Sequence, residues 1–205
     1  MERFRAELKA FVDELYEGDK KVLVYGEGER HVRVMLIGEA PGEQETLLGR
    51  PFVGKAGRNL DAFLEAAGLD RSALYVTNTV KFRPTKRSAA GRVVNRPPTQ
   101  EEIRLFLPWL RREIGLVDPE HIVTLGNVPL KALMGRDAAI GQVHGQLLEW
   151  EGHRLYPMYH PASLIYNPAL RQVYAEDMAR FKGILGDGGI ARFPRASEGG
   201  REKKA

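Results

Sequence analysis

Polar side chains of three kinds stand where apolar, strand-like stretches of this chain end. Glu39 follows the stretch 32–37, and Asn78 and His160 end two similar stretches later in the chain. Ligands in open α/β sheets gather at the ends of strands, so each of the three is a candidate site residue. A carboxylate can stabilise positive charge and orient water, an amide offers a donor beside an acceptor, and a neutral imidazole can donate to a developing oxyanion.

Glu39 opens a loop that is rich in glycine and proline. The segment 38–57 carries glycines at 38, 42, 49, 54 and 57 and prolines at 41 and 51. These residues let the backbone approach a ligand closely and hold a fixed path. Because a loop of this length in a compact domain is more often functional than decorative, we expect it to form part of a binding site.

Composition narrows the class of protein. The 205 residues suffice for one domain with a sizeable core. The absence of cysteine excludes disulfides, thiolate catalysis and zinc or iron–sulfur centres held by cysteine. No stretch approaches the roughly 20 apolar residues of a transmembrane helix, and the first residues lack the apolar core of a signal peptide. We therefore expect a soluble, cytoplasmic protein with no membrane segment.

The placement of basic residues is more informative than the net charge of +4. Segment 81–98 contains no acidic residue and six basic ones: Lys81, Arg83, Lys86, Arg87, Arg92 and Arg96. A basic stretch on a nearly neutral body suits contact with nucleic-acid phosphates, and the alternative is a solvated basic loop.

Hydrophobic periodicity predicts alternating strands and helices. The predicted strands are 21–25, 32–37, 74–77, 121–125 and 153–159. The predicted helices are 2–16, 56–67, 99–114, 127–134 and 168–185. Thr99 and Glu102 have the spacing of a capping box. The alternation is typical of a three-layer α/β/α fold with a central, mostly parallel sheet, here as one domain over residues 1–185. Residues 186–205 are expected to form a disordered basic tail.

Several segments resemble motifs of the uracil-DNA glycosylase superfamily, closest to its family 4 enzymes, which normally carry an iron–sulfur cluster. These segments are 38–57, 75–84, 95–98 and 159–164. One short motif is weak, whereas several in the right order argue against chance similarity. The resemblance spans roughly residues 32–185. It implies a monofunctional DNA repair enzyme that flips uracil into a pocket and hydrolyses its N-glycosidic bond.

The resemblance implies two catalytic residues. Glu39 matches the functional glutamate of family 4, which would stabilise a cationic sugar and orient the attacking water; the alternative is an acid that caps the following loop. His160 matches a histidine that hydrogen-bonds uracil O2, and the alternative is a structural histidine. The best-known branch of the superfamily has Asp where this chain has Ala40, so a mechanism that needs that Asp is excluded.

The resemblance also implies a set of uracil-binding residues: Ala40, Gly42, Glu45, Phe52 and Asn78. Phe52 would stack on the extruded base, with core packing as the alternative. The Asn78 amide would match N3–H and O4 of uracil and reject cytosine, whose pattern is reversed; the alternative is a turn position. Glu45 resembles a pocket-wall position that crowds the thymine methyl.

DNA contact is expected from residues in two places. The first group is the basic set Lys81, Arg83, Lys86, Arg87, Arg92 and Arg96, and the second is Ser163 and Leu164. Leu164 matches an apolar wedge that enters the vacated base stack, and plain packing is the alternative. His144 and Tyr166 stand where relatives usually carry Arg, so the phosphate contacts of those arginines are not carried over to this chain. The expected partner is uracil-containing DNA, single- or double-stranded, bound by a monomer.

The chain departs from family 4 at the iron–sulfur cluster. Two of the four cysteine positions hold Phe82 and Phe106, and the early pair has no counterpart around Tyr16–Lys20. We expect no cofactor, and we expect apolar side chains to pack where the iron–sulfur cluster would be.

The insertion ending in 91–95 has no His, so covalent capture of uracil is not expected. No metal is expected either, because these histidines lack metal-helix spacing and a cysteine partner: His144, His153 and His160.

Other functions stay open at this point. The substrate could be another deaminated base, such as hypoxanthine or xanthine, and retention of Asn78 argues against that. A catalytically weak DNA-binding relative would not need the charge-stabilising residues. A nucleotide-binding α/β protein fits less well, because the loop lacks a P-loop ending and carries Glu39, Glu43 and Glu45 where phosphates would bind.

Overall fold

A five-stranded sheet forms the centre of the computed structural model, which describes residues 1–186. The strands of this part of the chain are β1 (Val34–Gly38), β2 (Leu74–Asn78), β3 (Thr85–Arg87), β4 (Val93–Asn95), β5 (His121–Leu125), β6 (Leu148–Trp150) and β7 (His153–Met158). The central sheet has the order β2-β1-β5-β7-β6, in which only β6 runs antiparallel to its neighbour. Strands β3 and β4 form a separate antiparallel hairpin. Most of the predicted tail, residues 187–205, lies outside the described residues.

Helices cover both faces of this sheet. They are α1 (Glu2–Leu15), α2 (Glu43–Leu48), α3 (Lys55–Ala66), α4 (Gln100–Val117), α5 (Asn127–Met134), α6 (Ile140–Val143), α7 (Ser163–Tyr166) and α8 (Leu170–Leu185). The five predicted helices are confirmed as α1, α3, α4, α5 and α8. Helix α4 begins at the predicted capping box, in which Thr99 Oγ1 accepts from the Glu102 amide at 3.1 Å. None of the helices within residues 1–186 is long and apolar enough to cross a bilayer.

Alternating strand residues build two core layers. On β1, Leu36 packs with residues of α3 and α8, and Ile37 packs on the opposite face with residues of α4 and α5. Successive side chains of a strand point to opposite faces, so an unbroken apolar strand such as Val34–Gly38 must be covered on both sides. The predicted three-layer α/β/α fold with a mostly parallel sheet is confirmed.

A third core cluster fills the place where the resemblance puts an iron–sulfur cluster. The rings of Phe82 and Phe106 lie 5.6 Å apart, and the ring of Tyr16 lies 5.2 Å from Phe82. Apolar residues of α1, among them Phe4 and Leu8, complete this cluster. The predicted apolar packing of Phe82 and Phe106 is therefore confirmed, and it joins α1, the segment after β2, and α4.

One predicted strand is wrong. Residues 21–25 do not form a strand; the Val24 amide donates to the Lys81 carbonyl at 2.7 Å, and Glu27 makes one isolated bridge to Val76. These contacts cover the outer side of β2. Val24 is buried although it is not in a strand, so the segment carries apolar residues in a pattern similar to that of a strand.

Candidate active site

The carboxyl ends of β1, β2, β5 and β7 meet at one edge of the sheet because these strands run parallel. Glu39 directly follows β1, Asn78 ends β2, and His160 lies two residues beyond β7. A cleft of about 450 Å³ opens at this edge. Its lining includes the five predicted base-binding residues together with the imidazole: Ala40, Gly42, Glu45, Phe52, Asn78 and His160.

Gly38 allows an aromatic ring and an amide to meet at the end of β1. A Cβ at this position would lie 2.4 Å from Cζ of Phe52 and 2.5 Å from Oδ1 of Asn78. Both side chains therefore lie against the bare backbone of Gly38, which only glycine allows. The Phe52 ring is both a core residue, 5% exposed, and part of the cleft wall.

The Glu45 side chain links two parts of the glycine-rich segment 38–57 by hydrogen bonds. Its carboxylate accepts hydrogen bonds from the backbone amides of Gly42 at 3.1 Å, Val53 at 3.1 Å and Gly54 at 2.7 Å. Charge-assisted bonds to backbone amides are among the stronger hydrogen bonds, so the loop path on both sides of Glu45 is held in one conformation. Glu45 also lines the cleft.

The hydrogen bonds of Glu45 hold the backbone next to Phe52, whose φ of 55° is in the left-handed region. Helix α3 passes so close behind it that a Cβ on Gly57 would come within 1.8 Å of the Phe52 carbonyl oxygen. A bulky residue at positive φ is strained and persists only where its surroundings impose it. The loop thus fixes the Phe52 ring in one orientation at the cleft.

His160 is a half-buried, neutral imidazole with a defined tautomer. Burial lowers its pKa to about 4, so the ring is uncharged at neutral pH. The backbone amide of Ala162 donates to Nδ1 at 3.1 Å. Since Nδ1 accepts this bond, the single ring proton must be on Nε2, which leaves Nε2–H as a donor.

Glu39 lies beside the cleft, half-buried, next to the lining residue Ala40. Its backbone carbonyl accepts from the Val80 amide at 3.1 Å. Within residues 1–186 its carboxylate has no hydrogen-bond or ion-pair partner. Burial raises the pKa of this carboxyl above its usual range. Partly buried carboxyls without partners are costly, and perturbed groups of this kind concentrate at functional sites.

The cleft is also lined by residues to which the sequence assigned no part in base binding. Asn95, Lys55, Ile165 and Tyr166 line it, and Tyr166 is 86% exposed. Oδ1 of Asn95 accepts from Nε of Arg83 at 2.6 Å. Asn95 belongs to the motif segment 95–98, so its inclusion could have been predicted from that motif. Nothing local marks Lys55, which begins α3.

Three of the predicted DNA-contacting residues lie on the exposed β3–β4 hairpin. Lys86 and Arg87 belong to β3, Arg92 immediately precedes β4, and all three are exposed. Their side chains make no ion pair with any residue in the described range 1–186. The hairpin part of the basic segment thus presents three cations that make no ion pair within residues 1–186, beside the cleft residue Asn95.

Two predicted DNA contacts are wrong. Lys81 is fully buried and its ammonium forms an ion pair with Glu113, so it cannot reach a phosphate. Leu164 is 1% exposed and belongs to the core layer under α3 and α8, so it is not an exposed wedge. For Leu164 the packing alternative is confirmed.

The remaining predicted DNA contacts have partners within the protein. The Arg96 guanidinium makes two hydrogen bonds of 2.7 Å to the Glu102 carboxylate, at the start of α4. Arg83 bonds to Asn95 and, at 3.1 Å, to Glu43. Ser163 is half-buried, and its amide donates to the His160 carbonyl at 2.8 Å. These residues order the edges of the cleft.

No group of three or more candidate ligand side chains within residues 1–186 is placed to hold a metal ion. Nδ1 of His144 pairs with Asp177 at 2.8 Å, and Nδ1 of His153 bonds the Pro119 carbonyl at 2.7 Å. An iron–sulfur cluster does not fit the third core cluster either. The rings of Phe82 and Phe106 fill that space and offer no donor atom to iron.

Comparison with known sequences identifies the family. The model of the Uracil DNA glycosylase superfamily matches residues 25–181. The chain belongs to this superfamily. The matched segment contains every cleft residue and both positions, Phe82 and Phe106, at which the resemblance to family 4 expects cysteine.

Several relatives are similar over most of their length. The chain is 40% identical over 184 residues to a type-4 uracil-DNA glycosylase of Pyrobaculum aerophilum, covering 85% of this chain and 87% of the relative. It is 38% identical over 175 residues to the type-4 enzyme of Saccharolobus solfataricus, covering 81% and 77%. It is 39% identical over 168 residues to that of Sulfurisphaera tokodaii, covering 78% and 73%.

Proposed function

We propose that this protein is a monofunctional uracil-DNA glycosylase, which hydrolyses the bond between N1 of uracil and C1′ of deoxyribose. The observation that carries the proposal is that an amide, a fixed aromatic ring and a neutral imidazole line one cleft, beside a carboxylate with no partner in residues 1–186. Membership of the superfamily and the similarity to type-4 enzymes support it.

Recognition of the base would fall to Asn78 and Phe52. A uracil turned out of the DNA stack would lie on the Phe52 ring, with its N3–H and O4 facing the Asn78 amide. Oδ1 of Asn78 accepts from N3–H while Nδ2 donates to O4. Cytosine presents an acceptor at N3 and an amino donor at C4, so the same amide would face a mismatch on both atoms.

Cleavage would need a place for negative charge on the base. As the C1′–N1 bond breaks, its electron pair passes to uracil, and the charge spreads to O2. Nε2–H of His160 would donate a hydrogen bond to O2 without losing its proton. A neutral donor in a buried site is effective because no solvent must reorganise when the charge develops.

Glu39 would act on the sugar. The ionised carboxylate would stabilise the positive charge that builds on the sugar and would orient a water molecule toward C1′. The water oxygen bonds to C1′ and its proton leaves through the carboxylate to solvent, while the uracil anion takes a proton from solvent after release. The products are free uracil and an abasic site, with the DNA strand intact.

Phosphate contacts would come from the exposed hairpin cations Lys86, Arg87 and Arg92, and from Lys55 at the cleft. None of these four cations forms an ion pair with another residue of the range 1–186, so they can exchange counterions with DNA, which gives salt-dependent binding that is indifferent to sequence. We further propose that one copy of the chain suffices, since every residue invoked above lies in a single chain; light scattering of the DNA-bound protein would test this.

A direct assay tests the proposed function. The purified protein is incubated with an oligonucleotide containing one uracil, and the products are run on a denaturing gel with and without alkali treatment. Cleavage that appears only after alkali is expected. Cleavage without alkali would contradict the monofunctional mechanism, and no cleavage in either lane would contradict the activity. Oligonucleotides with hypoxanthine or xanthine in place of uracil test the alternative substrates.

A further inference from the structure

A buried polar network lies directly behind the base-reading residue Asn78. The ammonium of Lys81 donates to three oxygens: the Asn78 carbonyl at 2.6 Å, Oγ1 of Thr77 at 2.7 Å and Oε2 of Glu113 at 2.5 Å. Lys81 and Thr77 are fully buried, and the Glu113 side chain is 1% exposed. All three ammonium protons are thus used, and none of them reaches solvent or the cleft.

Glu113 is equally well satisfied. Its Oε1 accepts from the Tyr75 hydroxyl at 3.0 Å, and Oε2 accepts from Thr77 at 3.1 Å as well as from Lys81. The segment before β1 closes this network from outside, because a Cβ on Gly26 would lie 2.5 Å from Oε1 of Glu113. The network therefore joins α4 to the last residues of β2, and the backbone of Gly26 packs closely against it.

Stability does not explain why the sequence holds an ion pair here. Desolvation makes a buried pair costly, and well-packed neutral side chains of similar volume are often as stable or more so. Desolvation by burial is also the larger influence on Lys81 and lowers its pKa, against the opposing charge of Glu113. The ammonium of Lys81 binds the backbone carbonyl of Asn78, so the pair constrains the position of that carbonyl.

We propose that Lys81 and Glu113 are positioning residues that hold the end of β2 so that the Asn78 amide faces the base. This inference rests on the proposed function and assigns to it two residues that do not touch the substrate. Asn78 is reached from two sides: its Oδ1 lies against Gly38 at the cleft, and its carbonyl is bound by Lys81 from behind. A shift of the carbonyl would rotate the amide that reads N3–H and O4.

The test replaces the pair without leaving a buried charge. In Lys81→Met with Glu113→Gln, the amide of residue 113 can still accept from Tyr75 and Thr77, and Met keeps most of the Lys stem. The melting temperature should change little. The single-turnover rate of uracil excision should fall at least roughly tenfold, because small misplacements of a binding group cost up to about 100-fold. Binding to uracil-free DNA should not change.

A double-mutant cycle separates positioning from general structure. The same pair of substitutions is made in an Asn78→Ala background, where no base-reading amide remains to be positioned. If the pair acts through Asn78, it should cause no further loss of rate there. An additive loss, or a native rate in the Lys81→Met, Glu113→Gln protein, would overturn the inference. The exposed ion pair of α1, replaced as Lys9→Met with Asp13→Asn, is the matched control and should leave the rate unchanged.

A milder variant covers the case in which the double replacement does not fold. Thr77→Val removes one acceptor of the ammonium and one donor to Glu113, and leaves the ion pair in place. It should slow excision roughly threefold to tenfold, and not at all when Asn78 is already alanine. Equal losses in both backgrounds would overturn the inference. Excision by the unaltered protein tests the proposed function separately, so failure of one does not imply failure of the other.

Discussion

Burial lowers the pKa of His160 to about 4, and the nearby negative charge of Glu45 opposes that shift only in part. The two residues therefore act in opposite directions on the same imidazole, and burial has the larger effect. The hydrogen bond from the Ala162 amide to Nδ1 adds a second constraint, because a protonated ring could not accept it. His160 is built to remain neutral with its proton on Nε2.

Acid should destabilise the protein through His160. The unfolded chain takes up a proton at His160 near the ordinary value of 6.5, whereas the folded chain does so only near pH 4. Between these values the unfolded state binds more protons, so the free energy of unfolding falls as pH drops. The shift corresponds to at most ~3 kcal/mol. Urea unfolding from pH 7 to 4 should show a smaller fall for His160→Gln; an identical pH dependence would contradict the assignment.

Replacement of Glu39 should affect chemistry more than binding. Glu39→Gln should slow single-turnover excision by roughly 100-fold, since it removes the charge that stabilises the sugar cation. Affinity for uracil DNA should change much less. Glu65→Gln, which changes an exposed acid of α3 that does not line the cleft, is the control and should keep a near-native rate.

The pH profile gives an independent check on Glu39. Burial raises the pKa of this carboxyl above its ordinary value of 4.5, so the excision rate should begin to fall at a pH above that value as the carboxylate protonates. The acid limb should be absent in Glu39→Gln. An acid limb that persists in the variant would assign it to another group.

Asn78→Asp is the sharpest test of base recognition. The change removes the donor to O4 and places a carboxylate against it, a mismatch worth ~1–3 kcal/mol or more in a desolvated site. Uracil excision should fall at least roughly tenfold. Asn95→Asp adds the same charge to the same cleft while keeping the acceptor for Arg83, and should have a much smaller effect. Equal losses in the two variants would mean that charge, not base reading, is responsible.

The hairpin cations should determine the salt dependence of DNA binding. Replacing Lys86, Arg87 and Arg92 by Ala should weaken binding to all sequences alike and flatten the plot of log affinity against log salt. A control removes three cations elsewhere: Arg30, Arg154 and Lys182. Arg154 is near the amino-terminal end of β7, and Lys182 is near the end of α8. The same slope change in both triple variants would mean that only net charge matters.

Gly38→Ala tests the close approach at the end of β1. The added methyl would clash with the Phe52 ring and the Asn78 amide, so excision should fall at least roughly tenfold even if the protein folds. Gly115→Ala, inside α4 where a Cβ meets nothing within 4 Å, should be neutral for activity and slightly stabilising. Native activity in Gly38→Ala would show that the cleft tolerates a shift of both side chains.

The sequence predicted the site where local pattern determines position. Glu39, Asn78 and His160 follow strands that are parallel, so their approach to one edge is a consequence of the fold class. Lys81 was misassigned because its partner Glu113 is 32 residues away on α4, and no local signal marks that pairing. Its position among five other basic residues favoured a surface prediction that its burial contradicts.

The hairpin and α7 were missed for a different reason. Strands β3 and β4 have no buried face, so they lack the alternation of apolar and polar residues by which strands are predicted. In the four-residue helix α7, Leu164 faces the core while Tyr166 is exposed. A single turn is too short for periodicity to separate these two positions. The exposed aromatic residue at the cleft therefore follows from the three-dimensional structure alone.

The cleft draws its residues from positions between 40 and 166, brought together by the parallel order β2-β1-β5-β7. Parallel pairing requires long crossovers, so the approach of Asn78 and His160 to the loop after β1 cannot form locally early in refolding. The residues that follow β1 and β2 meet the His160 imidazole only after β7 has joined the sheet beside β5. After dilution from denaturant, excision activity should thus return at the rate at which the last strand joins the sheet. A measurement of activity against refolding time therefore reports when the sheet is complete.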